Sequence, residues 1–152
     1  MSVALVKPLI QNLLTVASTS TTATSANFAI PIADSYSFYL NVTTASAGSC
    51  NVIFQTSIDG GTTYVNIPWQ FAPIATTTGT FVLNTRSGLG NGFDTSLPTN
   101  NGALITDTLG AVALSACVDP AHMKIKYTIT TGPYAFSVSM ATWPRGSSAN
   151  ID

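Results

Sequence analysis

Glutamate is absent from this chain, and charge of either sign is scarce. Only 7 % of its 152 residues are charged, where an average soluble domain carries about 25 %. Carboxylate chemistry must therefore come from six aspartates: Asp34, Asp59, Asp94, Asp107, Asp119 and Asp152. Asp59 and Asp119 stand in turn sequences, Asp59-Gly60-Gly61 and Asp119-Pro120. Asp34 precedes a predicted strand and Asp152 ends the chain. Asp94 and Asp107, which flank a long irregular segment, are the only pair left for paired-carboxylate work.

Other chemistry is equally short of parts. His122 is the one imidazole, three residues after Asp119, where a polar turn residue is ordinary. The chain has no Gly-x-Ser-x-Gly, no phosphate-binding Gly-x-x-x-x-Gly-Lys and no Cys-x-x-Cys. Gly88-x-Gly90-x-Gly92 marks a flexible loop and has no helical pattern after it. No catalytic, cofactor-binding or metal-ligating residue is assigned, and an enzyme is the least expected reading. The two cysteines, Cys50 and Cys117, lie among small and apolar residues. They read as buried free thiols of a protein assembled in the cytoplasm, with a single disulfide as the alternative.

The five basic residues run from Lys7 to Arg145 and cannot neutralise a run of phosphates, so no nucleic-acid partner is expected. Lys124 and Lys126 are the one local pair, on one face of a predicted strand. No membrane partner is expected either. Residues 3–17 are apolar, but Lys7, Pro8, Gln11 and Asn12 interrupt them, and the segment lacks the basic start of a secretory signal.

What the chain does have is the material of strands: seven Phe, five Tyr, two Trp, and many Val, Ile and Thr. The clearest alternation places Tyr36, Phe38, Leu40 and Val42 on one face and Ser37, Tyr39, Asn41 and Thr43 on the other. Cys50, Val52, Phe54 and Thr56 alternate in the same way, as do Met123, Ile125, Tyr127 and Ile129, and Tyr134, Phe136, Val138 and Met140. Asp59-Gly60-Gly61 supplies the positive φ of a tight hairpin, and Gly132-Pro133 marks a second turn. Further strands are predicted over 27–32, 63–67, 78–84 and 103–107. Residues 85–101 read as a long contact loop, and 109–118 as small and apolar.

The best helix candidate, 3–14, contains Pro8, which argues against it. Residues 17–25, almost all Ser, Thr and Ala, read as an exposed linker. The expectation is an all-β fold: a β-sandwich or jelly roll of about eight antiparallel strands. It is divided into an extended N-terminal arm (1–25), the sandwich domain (26–144) and a flexible tail (145–152). Tyr36, Phe38, Val52, Phe54, Ile125, Tyr127, Phe136 and Val138 are the expected core. Trp69 and Trp143 are candidates for an aromatic glycan platform, or else rim residues packed at an edge or subunit contact. Asn41-Val42-Thr43 matches a glycosylation sequon but falls inside a predicted strand.

The run Gln55-Thr56-Ser57-Ile58-Asp59-Gly60-Gly61-Thr62-Thr63-Tyr64 resembles a hairpin of tailed-bacteriophage virion proteins. In those, a strand ending Ser-x-Asp-Gly-Gly-x-Thr is followed by an aromatic residue. The match covers about ten residues, and the motif also occurs in sialidase-like and other β-proteins. In its small size, hydroxyl content and lack of charge, the rest of the chain is similar to head-decoration (cement) proteins. The resemblance implies a structural protein on the outer capsid surface of a virion, a homo-dimer or homo-trimer that bridges major capsid proteins. A tail, neck or baseplate component is the alternative, and a carbohydrate- or receptor-binding module a further one. A net charge of −1 and a mean hydropathy of +0.34 fit a surface covered by neighbours, with a neutral surface hydrated by hydroxyls and amides as the alternative.

Overall fold

The computed structural model describes residues 8–33, 35–86 and 119–142. Eight strands follow in order: β1 (Leu9–Thr19), β2 (Ala23–Thr24), β3 (Ser35–Thr44), β4 (Cys50–Ser57), β5 (Tyr64–Gln70), β6 (Gly79–Arg86), β7 (Met123–Ile129) and β8 (Tyr134–Thr142). Among the described residues there is no helix. The strands make two antiparallel sheets. Sheet A has the order β1-β8-β3-β6 and sheet B the order β2-β7-β4-β5. The fold is all-β, as the alternation of residue types requires.

The inner faces of the two sheets meet through aromatic rings. Phe38 of β3 lies 4.4 Å from Phe54 of β4, and Trp69 of β5 lies 5.5 Å from Phe38 and 5.4 Å from Tyr36. At the other end Tyr127 of β7 meets Phe136 of β8 edge-on at 5.4 Å. Seven of the eight expected core residues are buried, and Tyr127 packs half-buried against them. Each fully buried large apolar side chain contributes about 1.5–3 kcal/mol. Ile67, Trp69, Phe71, Ile74 and Leu83 are among the further residues of this core.

The N-terminal segment differs from the expected arm. Residues 9–24 belong to the two sheets: β1 pairs with β8 from Leu9↔Thr142 to Thr19↔Tyr134, and β2 pairs with β7. The helix candidate over 3–14 is likewise a strand from Leu9 onward. The hydroxyls explain why a linker-like sequence does this. Thr22 Oγ1 accepts a hydrogen bond from the Ile129 N–H (3.0 Å), and Ser25 Oγ accepts one from the Ile125 N–H (2.9 Å). Side chains thus extend a ladder in which β2 itself is only two residues long. The strand expected over 27–32 is reduced to one bridge, Phe28↔Met123. The tail at 145–152, the strand expected over 103–107, the stretch 109–118 and residues 87–101 of the loop lie outside the described residues.

Candidate functional site

The polar side chains singled out above converge at one end of sheet B. There the β4–β5 turn sits against the turn that leads into β7. Asp59 organises the first turn: its Oδ1 accepts from the backbone N–H groups of Thr62 and Thr63 and from the Ser57 hydroxyl. Those bonds, the Thr63 backbone bond foremost, hold its carboxyl below the usual range. Gly60 (φ 70°) and Gly61 (φ 106°) carry the chain through the left-handed region.

Asp119 organises the second turn. Its Oδ2 accepts a 2.8 Å bond from Nδ1 of His122, and its Oδ1 accepts from the Ala121 N–H. The His122 bond is the first cause of an Asp119 carboxyl held below its ordinary value. The two turns are locked together. Ser57 N–H donates to the His122 carbonyl, Asp119 N–H donates to Thr56 Oγ1 at 2.8 Å, and the His122 ring lies flush against Gly61.

The arrangement has the beginning of a catalytic relay, a carboxylate holding an imidazole, but lacks its business end. Among the described residues no hydroxyl is hydrogen-bonded to the His122 ring. Gly61 packs close against that ring: a Cβ built on it would stand 2.8 Å from Cδ2 and 3.2 Å from Nε2. Every polar group named is committed to a turn. Among the described residues no three His, Cys or Asp side chains gather as metal ligands. Asp34, Asp94, Asp107, Asp152, Cys117 and Trp143 lie outside the described residues.

The remaining candidates resolve individually. Trp69 is 1 % exposed and packed at tilted and edge-on angles among Tyr36, Phe38 and Phe54, so it offers no glycan platform. Its place is deeper than the rim that its neighbouring proline suggests. Cys50 is a free, buried thiol whose pKa burial pushes up to about 11, which keeps it protonated and unreactive at neutral pH. Lys124 is half-buried and lies over the Tyr64 ring at 4.1 Å. Lys126 stands two residues along on the same face of β7. Asn41 and Thr43 are exposed on β3.

The outer face of sheet A is the feature that sequence reasoning did not assemble. Strand register lines its outward residues into three rows across β1, β8, β3 and β6. The first row is Ile10, Ala141, Ser37 and Asn84; the second is Asn12, Ser139, Tyr39 and Val82; the third is Thr15, Ser137, Asn41 and Thr80. None of these residues is charged. Hydrogen bonds between rungs fix several of them: Ser37 Oγ donates to Asn84 Oδ1 (2.8 Å), Thr80 Oγ1 to Asn41 Oδ1 (3.3 Å), and Asn12 Nδ2 to Thr15 Oγ1 (3.1 Å). Tyr39, 37 % exposed, is the one aromatic ring in the three rows. Polar side chains on a solvent-facing sheet are ordinary. A further row on the same face pairs Ser35 with Arg86, so the face is poor in charge and not devoid of it; charge is the usual guard against unwanted association.

No family model matches this chain, and no curated protein and no solved structure is found to be similar to it.

Proposed function

We propose that this chain is a viral structural protein: a jelly-roll capsid decoration (cement) protein that stabilises a phage head by bridging its major capsid proteins. The jelly roll is supported by strand pairing. The ladders β1–β8, β2–β7, β3–β6 and β4–β5 are nested, as in one long antiparallel hairpin rolled into two facing sheets. Jelly rolls are common among viral capsid and lectin domains. The lectin branch loses one of its two candidate tryptophans, because Trp69 is enclosed in the core.

The observation that carries the assembly role is the charge-poor outer face of sheet A, three rows of which hold no charge and a fourth of which pairs Ser35 with Arg86, on a chain that is only 7 % charged. Such a surface repels neighbours weakly, and its three uncharged rows give up little hydration energy when covered, since no ion within them must be desolvated. Its mechanism is burial of area at many equivalent positions on the outer capsid. Modest single contacts then sum into a stable layer. Assembly would take place in the host cytoplasm, where the buried Cys50 thiol stays reduced.

The test mixes purified full-length protein with expanded capsids that lack it. Saturable binding and a rise in capsid melting temperature are expected. Failure to bind capsids, with co-purification on tails instead, would replace this reading with that of a tail, neck or baseplate component.

A further inference from the structure

We infer that the Asp119–Pro120 peptide bond is a self-cleavage site, at which the Asp119 carboxylate attacks its own carbonyl and His122 supplies the proton that releases Pro120. The inference goes beyond the assembly role and does not depend on it.

The carboxylate–imidazole pair has no hydroxyl to activate, but Asp119 brings its own nucleophile. It stands in the one Asp-Pro sequence of the chain. The contacts around that bond point the same way. The Ala121 N–H donates to Oδ1 at 3.0 Å, which folds the carboxylate back along the Asp119–Pro120 bond. The Asp119 carbonyl oxygen accepts from the His122 N–H at 3.2 Å and from the Thr56 hydroxyl at 3.4 Å. Two donors thus already sit where negative charge develops when that carbonyl is attacked. Thr56 is fully buried, and its Oγ1 is fixed by the Asp119 N–H at 2.8 Å. His122 Nδ1 lies 2.8 Å from Oδ2, beside the group that reacts. Proline suits the leaving side, because without an N–H it cannot close on the aspartate side chain to form a succinimide.

The reaction balances without a cofactor. A carboxylate oxygen of Asp119 bonds to the Asp119 carbonyl carbon, and the π pair moves onto the carbonyl oxygen. As that C=O re-forms, the C–N bond to Pro120 breaks, and the nitrogen takes the Nδ1 proton of an imidazolium His122. Asp119 is left as a five-membered cyclic anhydride and Pro120 as a secondary amine. Water then opens the anhydride into two carboxylates, returning one proton to His122 and giving the other to the amine. Water can reach the site, since the His122 and Asp119 side chains are 34 % and 31 % exposed. The pieces stay together afterwards: β7 lies between β2 and β4, and β8 between β1 and β3. Cleavage is therefore visible only once the protein is denatured.

The rate should rise as pH falls through the range in which imidazoles take up a proton, about pH 5–8. The other titratable groups on the flanking elements are engaged elsewhere. Asp59 is bound by its own turn, Lys124 lies over the Tyr64 ring, and the Tyr64 hydroxyl donates to Asn27.

The test incubates the folded full-length protein for days at a series of pH values in heavy-oxygen water, then reads it by denaturing mass spectrometry. Pieces 1–119 and 120–152 are expected, formed at least ~100 times faster than from the same chain unfolded in urea at the same pH. Heavy oxygen should appear in either carboxyl group of Asp119, because an anhydride opens at either carbonyl, whereas direct attack by water labels the α-carboxyl alone. Asp119→Ala should abolish cleavage. His122→Gln should slow it about 100-fold and flatten its pH profile. Thr56→Val should slow it at least about tenfold and Thr56→Ser restore it, with melting curves to show that each variant is folded. A chain that stays intact, a folded rate no greater than the unfolded one, or label confined to the α-carboxyl would overturn the inference.

Discussion

Gly60 and Gly61 are adjacent, both have positive φ, and they differ in what surrounds them. A Cβ at Gly60 meets nothing within 4 Å, whereas one at Gly61 runs into the His122 ring. Backbone conformation alone therefore penalises both positions, and packing penalises only the second. Gly60→Asn should change stability by less than ~0.5 kcal/mol, because Asn tolerates the left-handed region. Gly61→Ala should cost about 1–3 kcal/mol, combining strain with displacement of the ring. Paired chemical denaturation curves check this, and equal losses at the two sites would refute the packing argument. The Asp-Gly-Gly sequence announced the turn, but the second role of Gly61 was illegible. The residue it accommodates, His122, lies 61 positions further along the chain.

Among the elements, β2 is the one whose stability depends least on its own ladder. Its two residues pair with Tyr127 and Lys126, and the hydroxyls of Thr22 and Ser25 satisfy β7 on either side. Removing either hydroxyl strands a backbone N–H, at a cost of about 1–3 kcal/mol. Ser25→Ala should lower stability by that amount and speed amide exchange at Ile125. Thr22→Val should do the same at Ile129, while Thr24→Ala should do neither. Hydrogen exchange read residue by residue would settle the point against an arm lying free of the sheet, for which all three variants would be silent.

The same element shows why parts of the fold were hidden. β3, β4, β7 and β8 were legible because one face of each is buried and the side-chain period is two. β1 was not. Its register shift between Asn12 and Leu14 turns both Leu13 and Leu14 toward the core, so two leucines in succession erase the alternation. β2 is too short to show any period, and its Ser/Thr composition is that of a linker. Trp69 read as a rim residue because Pro68 precedes it. Proline belongs on edge strands, and β5 is indeed last in the order of sheet B, but an edge strand still has an inner face. The charge-poor face was half visible, in Ser37, Tyr39 and Asn41 and in Ser137 and Ser139. Its width was not, because rows such as Ile10-Ala141-Ser37-Asn84 draw on four distant parts of the chain.

For the whole molecule, nested pairing imposes an order on folding. The β4–β5 ladder closes across a turn of a few residues, while β1–β8 joins Leu9 to Thr142. Closure entropy grows with loop length, so the outer ladders become affordable only after the inner ones have brought their ends together. The transition state should hold the β4–β5 hairpin and its contacts to β3, with β1 still unpaired. Ile67→Val, in the core of β5, should slow folding by the greater part of its ~0.5–1.5 kcal/mol destabilisation. Val16→Ala, on β1 opposite Phe136, should leave the folding rate nearly untouched and accelerate unfolding. Stopped-flow folding and unfolding arms for the two variants measure both effects. If Val16→Ala slowed folding while Ile67→Val did not, the chain would have to close from its ends inward, which would put the largest entropic cost before any of the contacts that offset it.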